Sequence, residues 1–381
     1  DAAYSKNQGK REVINRKTIT DAEEAGSAAL NTILPVGSNL NLNLPPFAGG
    51  GTITVARDSS GFTGYKIGLM LTYEDADSNS SNSYVFTNEP TGLIDFKGEK
   101  SIGIQIYAPG SENVPIKVTN QGVINIGGIE SYGLKLSSRA NSANMVFSNT
   151  GIINVSGNNG TESSRSSGMA VIEDINLTGT KSIRAYTNAV KNSGTINVSG
   201  GYGNSGMILK VAAPDNIINS GIININGTSN IGMRVDYGSV NTGNAGSPTA
   251  QNNNIINVKD NRNLGIIANG RGSTANTAVG NNGSTGIVNV SGNNSVGLFS
   301  TNGGKTINTA LGTISVSGTS SLGIVVADST SAGTNSGIIN ISGNSSAGVY
   351  NVGTFNMDGG SITASSPRSV AIYSKPLSAT S

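Results

Sequence analysis

The chain has 381 residues, a formal net charge of +2 from 24 basic and 22 acidic side chains, and neither cysteine nor histidine. This composition excludes disulfide scaffolds, thiolate and histidine metal sites and histidine-dependent catalytic triads, and the small net charge argues against nucleic-acid binding. No run of 18 apolar residues is present, so we expect no membrane insertion by a helix of this segment.

The N-terminal segment differs in composition from the rest of the chain. Residues 1–30 hold 10 of the 46 charged side chains, and the stretch AEEAGSAALNTIL from Ala22 predicts a helix. Residues 40–47 alternate like a strand, which Pro45 and Pro46 end. Repeat proteins need caps at their ends. We therefore predict a partly helical N-terminal cap over residues 1–50 and a repeat domain over residues 51–381.

An acidic stretch follows at residues 74–83. Asp75, Asp77 and Asn79 have the spacing of the first three ligands of a calcium loop. The glycine and glutamate that this motif requires at positions 6 and 12 are missing. The stretch therefore offers a candidate metal site, with a solvated loop as the alternative.

Two short signatures then repeat along the chain. The first, N-x-G-x-I-N-V, occupies residues 120–126, 149–155, 192–198, 219–225 and 335–341, with looser copies ending at Val290 and Val316. The second is a glycine followed by an apolar–x–apolar triplet, at Gly68, Gly103, Gly133, Gly168, Gly206, Gly232, Gly265, Gly297, Gly323 and Gly348. A degenerate copy has Ala371 in place of the glycine. Most copies of the two signatures are separated by a constant interval, so length variation is concentrated elsewhere in the repeat.

The signatures predict strands because their apolar residues are β-branched and alternate between two faces. A third apolar run often precedes the first signature, at residues 84–86, 116–118, 145–147 and 216–218. Three short strands in a repeat of 25–38 residues predict a coil of a parallel β-helix. We count about eleven coils from Gly51 to the C-terminus, which gives an all-β rod about 50–55 Å long.

The second asparagine of the first signature falls at the same place in each coil. We predict that these side chains stack into a structural ladder in which each amide bonds to the amides above and below it. The ladder residues are Asn125, Asn154, Asn197, Asn224, Asn257, Asn289 and Asn340.

Insertions between the strands are the places where a solenoid usually carries its binding residues. The longest insertions are residues 74–83, 156–167, 173–186, 236–251 and 271–282. Aromatic and basic side chains in turns and loops give the binding candidates Tyr186, Tyr202, Tyr237, Arg165 and Arg184. The alternative for the tyrosines is packing beneath the loops, and for the arginines simple solvation.

The alternative hypothesis is that this β-helix is an enzyme. Glycosidases need two carboxylates about 5–10 Å apart. Glu173 and Asp236 both lie five residues after their signature glycines, two coils apart. Asparagine, serine and glycine dominate every face of the repeat, which favours a binding or structural role. We expect no cofactor.

The repeats resemble those of a known protein family. Runs such as NSGIINISGNSSAGVY are similar to the passenger repeats of type V autotransporter adhesins, especially the large outer-membrane adhesins of fusobacteria, over residues 50–375. The resemblance implies a right-handed β-helix, exposed at the bacterial cell surface, that binds a host or bacterial surface protein or glycan. The chain begins at Asp1 without a signal-peptide pattern. We therefore expect a segment of a secreted passenger, with the membrane β-barrel elsewhere in the parent chain.

Two functions remain in competition at this point. The first is an adhesin passenger, acting as a stalk or as a binding rod. The second is a carbohydrate-active β-helix, such as a polysaccharide lyase, a hydrolase or a tailspike.

Overall fold

Short runs of isoleucine, valine and leucine separated by glycine and asparagine form strands throughout the chain, because these residues suit a pleated surface buried on one face. The computed structural model describes residues 3–7, 10–20, 39–43, 52–56, 66–72, 83–108, 116–138, 145–157, 165–172, 190–211, 216–238, 246–272 and 277–375. Within these ranges the regular structure is all strand, with no helix.

The described strands are numbered in chain order. The first twelve are β1 (Ala3–Asn7), β2 (Lys10–Asn15), β3 (Thr18–Thr20), β4 (Asn39–Asn43), β5 (Thr52–Ala56), β6 (Lys66–Thr72), β7 (Ser83–Asn88), β8 (Leu93–Phe96), β9 (Ser101–Ala108), β10 (Ile116–Asn120), β11 (Val123–Ile126) and β12 (Tyr132–Ser138). The next twelve are β13 (Met145–Asn149), β14 (Ile152–Val155), β15 (Ser167–Ile172), β16 (Val190–Asn192), β17 (Thr195–Val198), β18 (Ser205–Val211), β19 (Asn216–Asn219), β20 (Ile222–Ile225), β21 (Ile231–Tyr237), β22 (Thr249–Asn252), β23 (Ile255–Val258) and β24 (Leu264–Asn269). The last twelve are β25 (Val279–Asn282), β26 (Ile287–Val290), β27 (Val296–Thr301), β28 (Lys305–Asn308), β29 (Thr313–Val316), β30 (Leu322–Val326), β31 (Ala332–Asn335), β32 (Ile338–Ile341), β33 (Ala347–Asn351), β34 (Thr354–Met357), β35 (Ser361–Ala364) and β36 (Val370–Ser374).

These strands wind into a right-handed parallel β-helix of eleven coils, which confirms the predicted fold. The first sheet runs β1-β2-β7-β10-β13-β16-β19-β22-β25-β28-β31-β34, with β1 antiparallel at its edge. The second sheet runs β3-β8-β11-β14-β17-β20-β23-β26-β29-β32-β35, and the third runs β6-β9-β12-β15-β18-β21-β24-β27-β30-β33-β36. Each coil contributes one strand to each sheet, so ten spacings between eleven coils give a rod about 48 Å long.

The solenoid begins earlier than the sequence predicted. Strand β2 pairs in parallel with β7, and β3 pairs in parallel with β8, so the first coil starts at Lys10 and not near residue 51. Val13 lies in register with buried Phe86, and buried Asn15 lies in register with Asn88. The charged residues around Val13 hid this copy of the pattern, because lysine, arginine and glutamate occupy its other positions.

The rest of the predicted cap is described only in part. The strand predicted over residues 40–47 is present as β4, which pairs antiparallel with β5 in a separate two-stranded sheet. In the sequence, these two strands fall between β3 and β6. The helix predicted from Ala22 lies outside the described residues.

The core is a set of apolar columns that run along the rod. The strands of the second sheet send alternate residues inward, and between the two end coils these residues, such as Ile124, Ile153 and Ile196, are buried. Ile19 and Ile362 of the end coils are partly buried. Leu134, Met207 and other inward residues of the third sheet meet them. Each coil therefore buries its apolar side chains only by stacking on its neighbours.

The signature glycines mark the place where the coils approach most closely. A Cβ atom built on Gly103 would lie 2.6 Å from the carbonyl oxygen of Gly133 and 3.0 Å from the Cγ2 atom of Ile124. A Cβ atom built on any other signature glycine would lie 2.5–2.7 Å from the carbonyl oxygen of the residue in register with it in the next coil. A side chain at this position would push two coils and two sheets apart at once, which explains why the sequence has glycine there.

We predict that Gly232→Ala destabilises the rod. The added Cβ would lie 2.6 Å from the carbonyl oxygen of Gly265, and forcing such a contact in a packed core costs on the order of 1–3 kcal/mol. Urea unfolding followed by circular dichroism measures the change. The control is Gly127→Ala, where the nearest atom lies 3.2 Å from the added Cβ. Equal effects of the two substitutions would contradict the close-approach argument.

Candidate binding surfaces

Connection length varies from coil to coil at one corner, whereas the second-to-third corner departs from four to six residues only at residues 21–65, which carry β4 and β5, and at residues 156–166. The connections from the third sheet to the first contain 10, 7, 6, 17, 4, 11, 9, 3, 5 and 2 residues in chain order. The connections from the first sheet to the second contain only two to four. We call the third-to-first corner the variable edge. Four of the five predicted insertions belong to it, and only residues 156–167 lie at the second-to-third corner.

Two of the predicted binding residues, Tyr202 and Arg165, lie at the second-to-third corner of adjacent coils. Tyr202 is 56% exposed and has a left-handed backbone with φ of 52°, and its N–H donates to the carbonyl oxygen of Thr228 at 3.1 Å. The half-buried Arg165 of the preceding coil lies beside Gly203, where a built Cβ would be 3.1 Å from the Cγ atom of Arg165. An exposed aromatic ring and a guanidinium group therefore share this corner.

The placement of Tyr237 in a surface loop was wrong. Strand β21 continues past its apolar triplet to Tyr237, which is only 4% exposed and belongs to the hydrophobic core. Asp236, one of the two carboxylates of the enzymatic alternative, is also buried, and its Oδ2 atom accepts a hydrogen bond from Nε of Arg234 at 2.8 Å. The strand continues because Tyr237 pairs in register with buried Val211 of the preceding coil.

The remaining sequence candidates fall outside the described residues. These are Tyr186, Arg184, Glu173 and the metal candidates Asp75, Asp77 and Asn79. Among the residues that the structure describes, no group of three or more acidic side chains could hold a metal ion.

The asparagines of the I-N-V signature form a hydrogen-bonded ladder on the outer face of the second sheet, which we call the outer ladder. Each Nδ2 atom donates to the Oδ1 atom of the preceding coil at 2.8–3.1 Å. The chain of bonds runs from Asp95 through Asn125, Asn154, Asn197, Asn224 and Asn257 to Asn289. Asn340 holds the same register position, but Ser315 separates it from Asn289.

A second asparagine ladder, which sequence reasoning missed, is buried at the first-to-second corner. We call it the inner ladder. Its members are the first asparagines of the signature, Asn15, Asn88, Asn120, Asn149, Asn192, Asn219, Asn252, Asn282, Asn308 and Asn335. Each is at most 4% exposed, and from Asn15 to Asn308 each Nδ2 atom donates to the Oδ1 atom of the following coil at 2.7–2.9 Å. The ladder ends at Asn335, whose Nδ2 atom faces the Sδ atom of Met357 at 3.5 Å. The signal was present as the first asparagine of the signature, which the looser copies carry two residues earlier, at Asn282 and Asn308.

The second-to-third corner holds a third polar column, built from serine and asparagine. The backbone N–H at this position donates to the side-chain oxygen of the next coil, for example from Asn230 to Asn263 at 2.7 Å and from Ser321 to Ser346 at 3.1 Å. The side chain in turn donates to a carbonyl oxygen of the preceding coil, as from Ser346 to Gly318 at 2.8 Å. These contacts satisfy the buried polar groups of the corner.

Asp328 is the most strongly hydrogen-bonded carboxylate among the described residues. Its Oδ1 atom accepts from the hydroxyls of Thr330 and Ser331 and from the N–H of Thr330, and its Oδ2 atom accepts from the N–H of Asn302 at 2.6 Å. Burial raises the pKa of Asp328, but these hydrogen bonds outweigh burial and lower the pKa from 3.8 to about 2. The ionised carboxylate therefore holds the turn of residues 327–331 to the preceding coil.

Comparison with protein-family models, with curated proteins and with solved structures finds no match for this chain. A search of the described part of the chain for helices long and apolar enough to span a membrane finds none.

We predict that Asn219→Ala destabilises the rod more than Asn224→Ala. Removal of the Asn219 amide leaves the Nδ2 atom of Asn192 and the Oδ1 atom of Asn252 with only long hydrogen bonds to the backbone, of 3.3 Å to the Gly194 carbonyl and 3.4 Å from the Asn254 N–H, at a cost of about 1–3 kcal/mol. The neighbours of Asn224 are partly exposed and can bond to water instead. Thermal unfolding of both variants measures the difference, and equal Tm values would show that burial of the inner ladder is unimportant.

We predict that Asp328 makes the stability of the rod pH-dependent in acid. Its folded pKa of about 2 lies below the ordinary value of 3.8, so the ionised form stabilises the fold above about pH 4, and this stability is lost as the pH falls through the folded pKa. Urea unfolding at pH 2, 3, 4 and 6 follows the change. In Asp328→Asn the loss of stability between pH 4 and pH 2 should be smaller than in the native protein. An identical pH profile in the variant would rule out this role.

Proposed function

We propose that this chain is part of the passenger of an autotransporter adhesin, displayed at the bacterial cell surface, and that it binds a surface protein or glycan of a host or bacterial cell. The observation that carries the proposal is the variable edge. Its connections vary from 2 to 17 residues, while the first-to-second corner stays within four. Loops of different length on one edge of a rigid rod are the arrangement by which solenoids present binding residues.

The distribution of the loops along the rod supports the same function. The connections of the variable edge with ten or more residues, 73–82, 173–189 and 238–248, all belong to the first seven coils, and the last three connections of this edge contain five residues or fewer. The longer connections therefore occupy one stretch of the edge. Several weak contacts along such a stretch add up to strong attachment when the partner is a cell surface.

The second-to-third corner offers an additional contact. Tyr202 presents an exposed ring at the corner where Arg165 of the preceding coil lies beside Gly203, and tyrosine gives a rigid, amphipathic contact surface for sugars and proteins. The backbone at Tyr202 is fixed by the hydrogen bond from its N–H to the Thr228 carbonyl, so the backbone needs little ordering on binding.

We predict that shortening the variable edge abolishes attachment. In the test variant, residues 73–82, 173–189 and 238–248 are each replaced by the three-residue connection Asn302-Gly303-Gly304 of a later coil. Binding of the labelled native and variant proteins to a panel of bacteria, host cells and immobilised glycans is measured, and we expect at least a tenfold rise in the half-saturation concentration. Circular dichroism and Tm confirm that the variant keeps its fold.

The control variant shortens the insertion at residues 158–164, which lies at the second-to-third corner beside Arg165, and it should lose far less binding than the edge variant because it leaves the variable edge intact. Unchanged binding by the edge variant would remove the edge as the binding site. Absence of saturable binding by the native protein would contradict the adhesin. Release of oligosaccharide in the same wells would favour the enzymatic alternative instead.

A further inference from the structure

The outer face of the second sheet is a flat surface made of two residue columns. One column is the outer ladder of asparagines. The other, two residues earlier in each strand, is mostly aliphatic, and its members in successive coils are Leu93, Val123, Ile152, Thr195, Ile222, Ile255, Ile287, Thr313 and Ile338. We call these two columns together the flat face.

The aliphatic column is accessible to solvent. Ile152 is 40% exposed and Ile338 is 37% exposed, and the other members are half-buried. A contiguous apolar patch on a surface marks a contact site more often than singly exposed apolar residues do, and this column is broken only by Thr195 and Thr313.

The outer ladder leaves hydrogen-bonding capacity unused. An asparagine amide has two N–H donors and two acceptor lone pairs. In the described contacts Asn154, Asn197 and Asn224 each donate one bond and accept one bond within the ladder. Each of these amides therefore keeps one N–H and one lone pair for a ligand, and the pattern repeats once per coil, at a spacing of about 4.8 Å.

The flat face carries no charge over nine consecutive strands. From Val123 to Ala364 the strands of the second sheet contain no acidic or basic residue. The other two sheets carry charges on their strands, such as Lys117 and Lys191 in the first sheet and Lys135, Lys210 and Arg234 in the third. A partner of the flat face gains nothing from charge, so the surface suits a neutral ligand.

We infer that the flat face binds a neutral, extended, β-linked polysaccharide whose chain lies along the rod. Sugar rings combine apolar C–H faces with hydroxyl groups that both donate and accept hydrogen bonds. The C–H faces match the aliphatic column, and the hydroxyls match the spare N–H and lone pair of each amide. In an extended β-linked chain the sugar repeat is close to the strand spacing, so successive rings meet successive coils.

The rigidity of the face strengthens this match. Each asparagine is already held by its neighbours in the ladder, and each aliphatic side chain by the strands on either side, so little side-chain entropy is lost on binding. The inference rests on the proposed function in naming a glycan as one partner of the adhesin, and it assigns only neutral, extended β-linked chains to the flat face, while the variable edge keeps the other cell-surface partners.

The test is a binding isotherm on insoluble chitin and cellulose, with depletion of the protein from solution as the readout. The main variant is Ile222→Lys with Ile255→Lys, which places two charges in the aliphatic column of adjacent coils. A second variant, Ile152→Lys, changes a more exposed position and so preserves folding more readily. We expect at least a tenfold rise in half-saturation for the double variant and a smaller rise for the single one.

The matched control is Ile208→Lys with Ile267→Lys, which changes two half-buried isoleucines on the outer side of the third sheet. It should bind both polysaccharides as the native protein does. Absence of binding to chitin and cellulose by the native protein would overturn the inference, and so would unchanged binding by both flat-face variants. If sedimentation velocity shows a dimer that the flat-face variants dissociate, the face is a contact between copies, and the inference fails.

The cell-binding assay separates this inference from the proposed function. If shortening the variable edge abolishes attachment to cells while chitin and cellulose do not bind, the adhesin stands and the flat-face inference fails. If the native protein binds chitin or cellulose through the flat face but attaches to no cell, the inference stands and the adhesin fails.

Discussion

Direct stacking of each coil on the next is the constraint on which the rest of this structure depends. Every strand lies in register with its counterpart about 4.8 Å away, over eleven coils. At the closest approach only glycine fits, as the contact between Gly103 and the Gly133 carbonyl shows. Insertions that do not fit this repeat leave the coil at its corners, in most coils at the variable edge.

The corners of the coil show how the same constraint applies to polar groups. A three-sided coil must turn three times, and each turn brings amides and carbonyls into a dry environment, where an unsatisfied polar group is costly. The side chains of the inner ladder and of the serine and asparagine column avoid this cost because they form hydrogen bonds with these buried groups in every coil they span. The outer ladder lies on the surface, and this difference in burial explains why one asparagine in each signature is structural while the other retains spare hydrogen bonds.

Sequence reasoning identified the fold because periodicity is its most direct signal. The two signatures predicted the strands of the second and third sheets, and the short run at residues 116–118 predicted strand β10 of the first sheet. The first coil was missed because charged residues surround Val13, and Tyr237 was misplaced because one strand runs two residues longer than its signature. The inner ladder could not be distinguished from a turn residue, since asparagine is common in turns and only the three-dimensional register shows that it is buried.

The two asparagine ladders donate in opposite directions along the rod. In the inner ladder each amide donates to the following coil, and in the outer ladder to the preceding one. Aligned amides add their dipoles, and in an α-helix this sum is equivalent to about half a charge at each end. Here the two rows oppose each other, and the peptide groups between coils alternate in direction along each strand. A solenoid of this design can lengthen coil by coil without building up a charge separation between its ends.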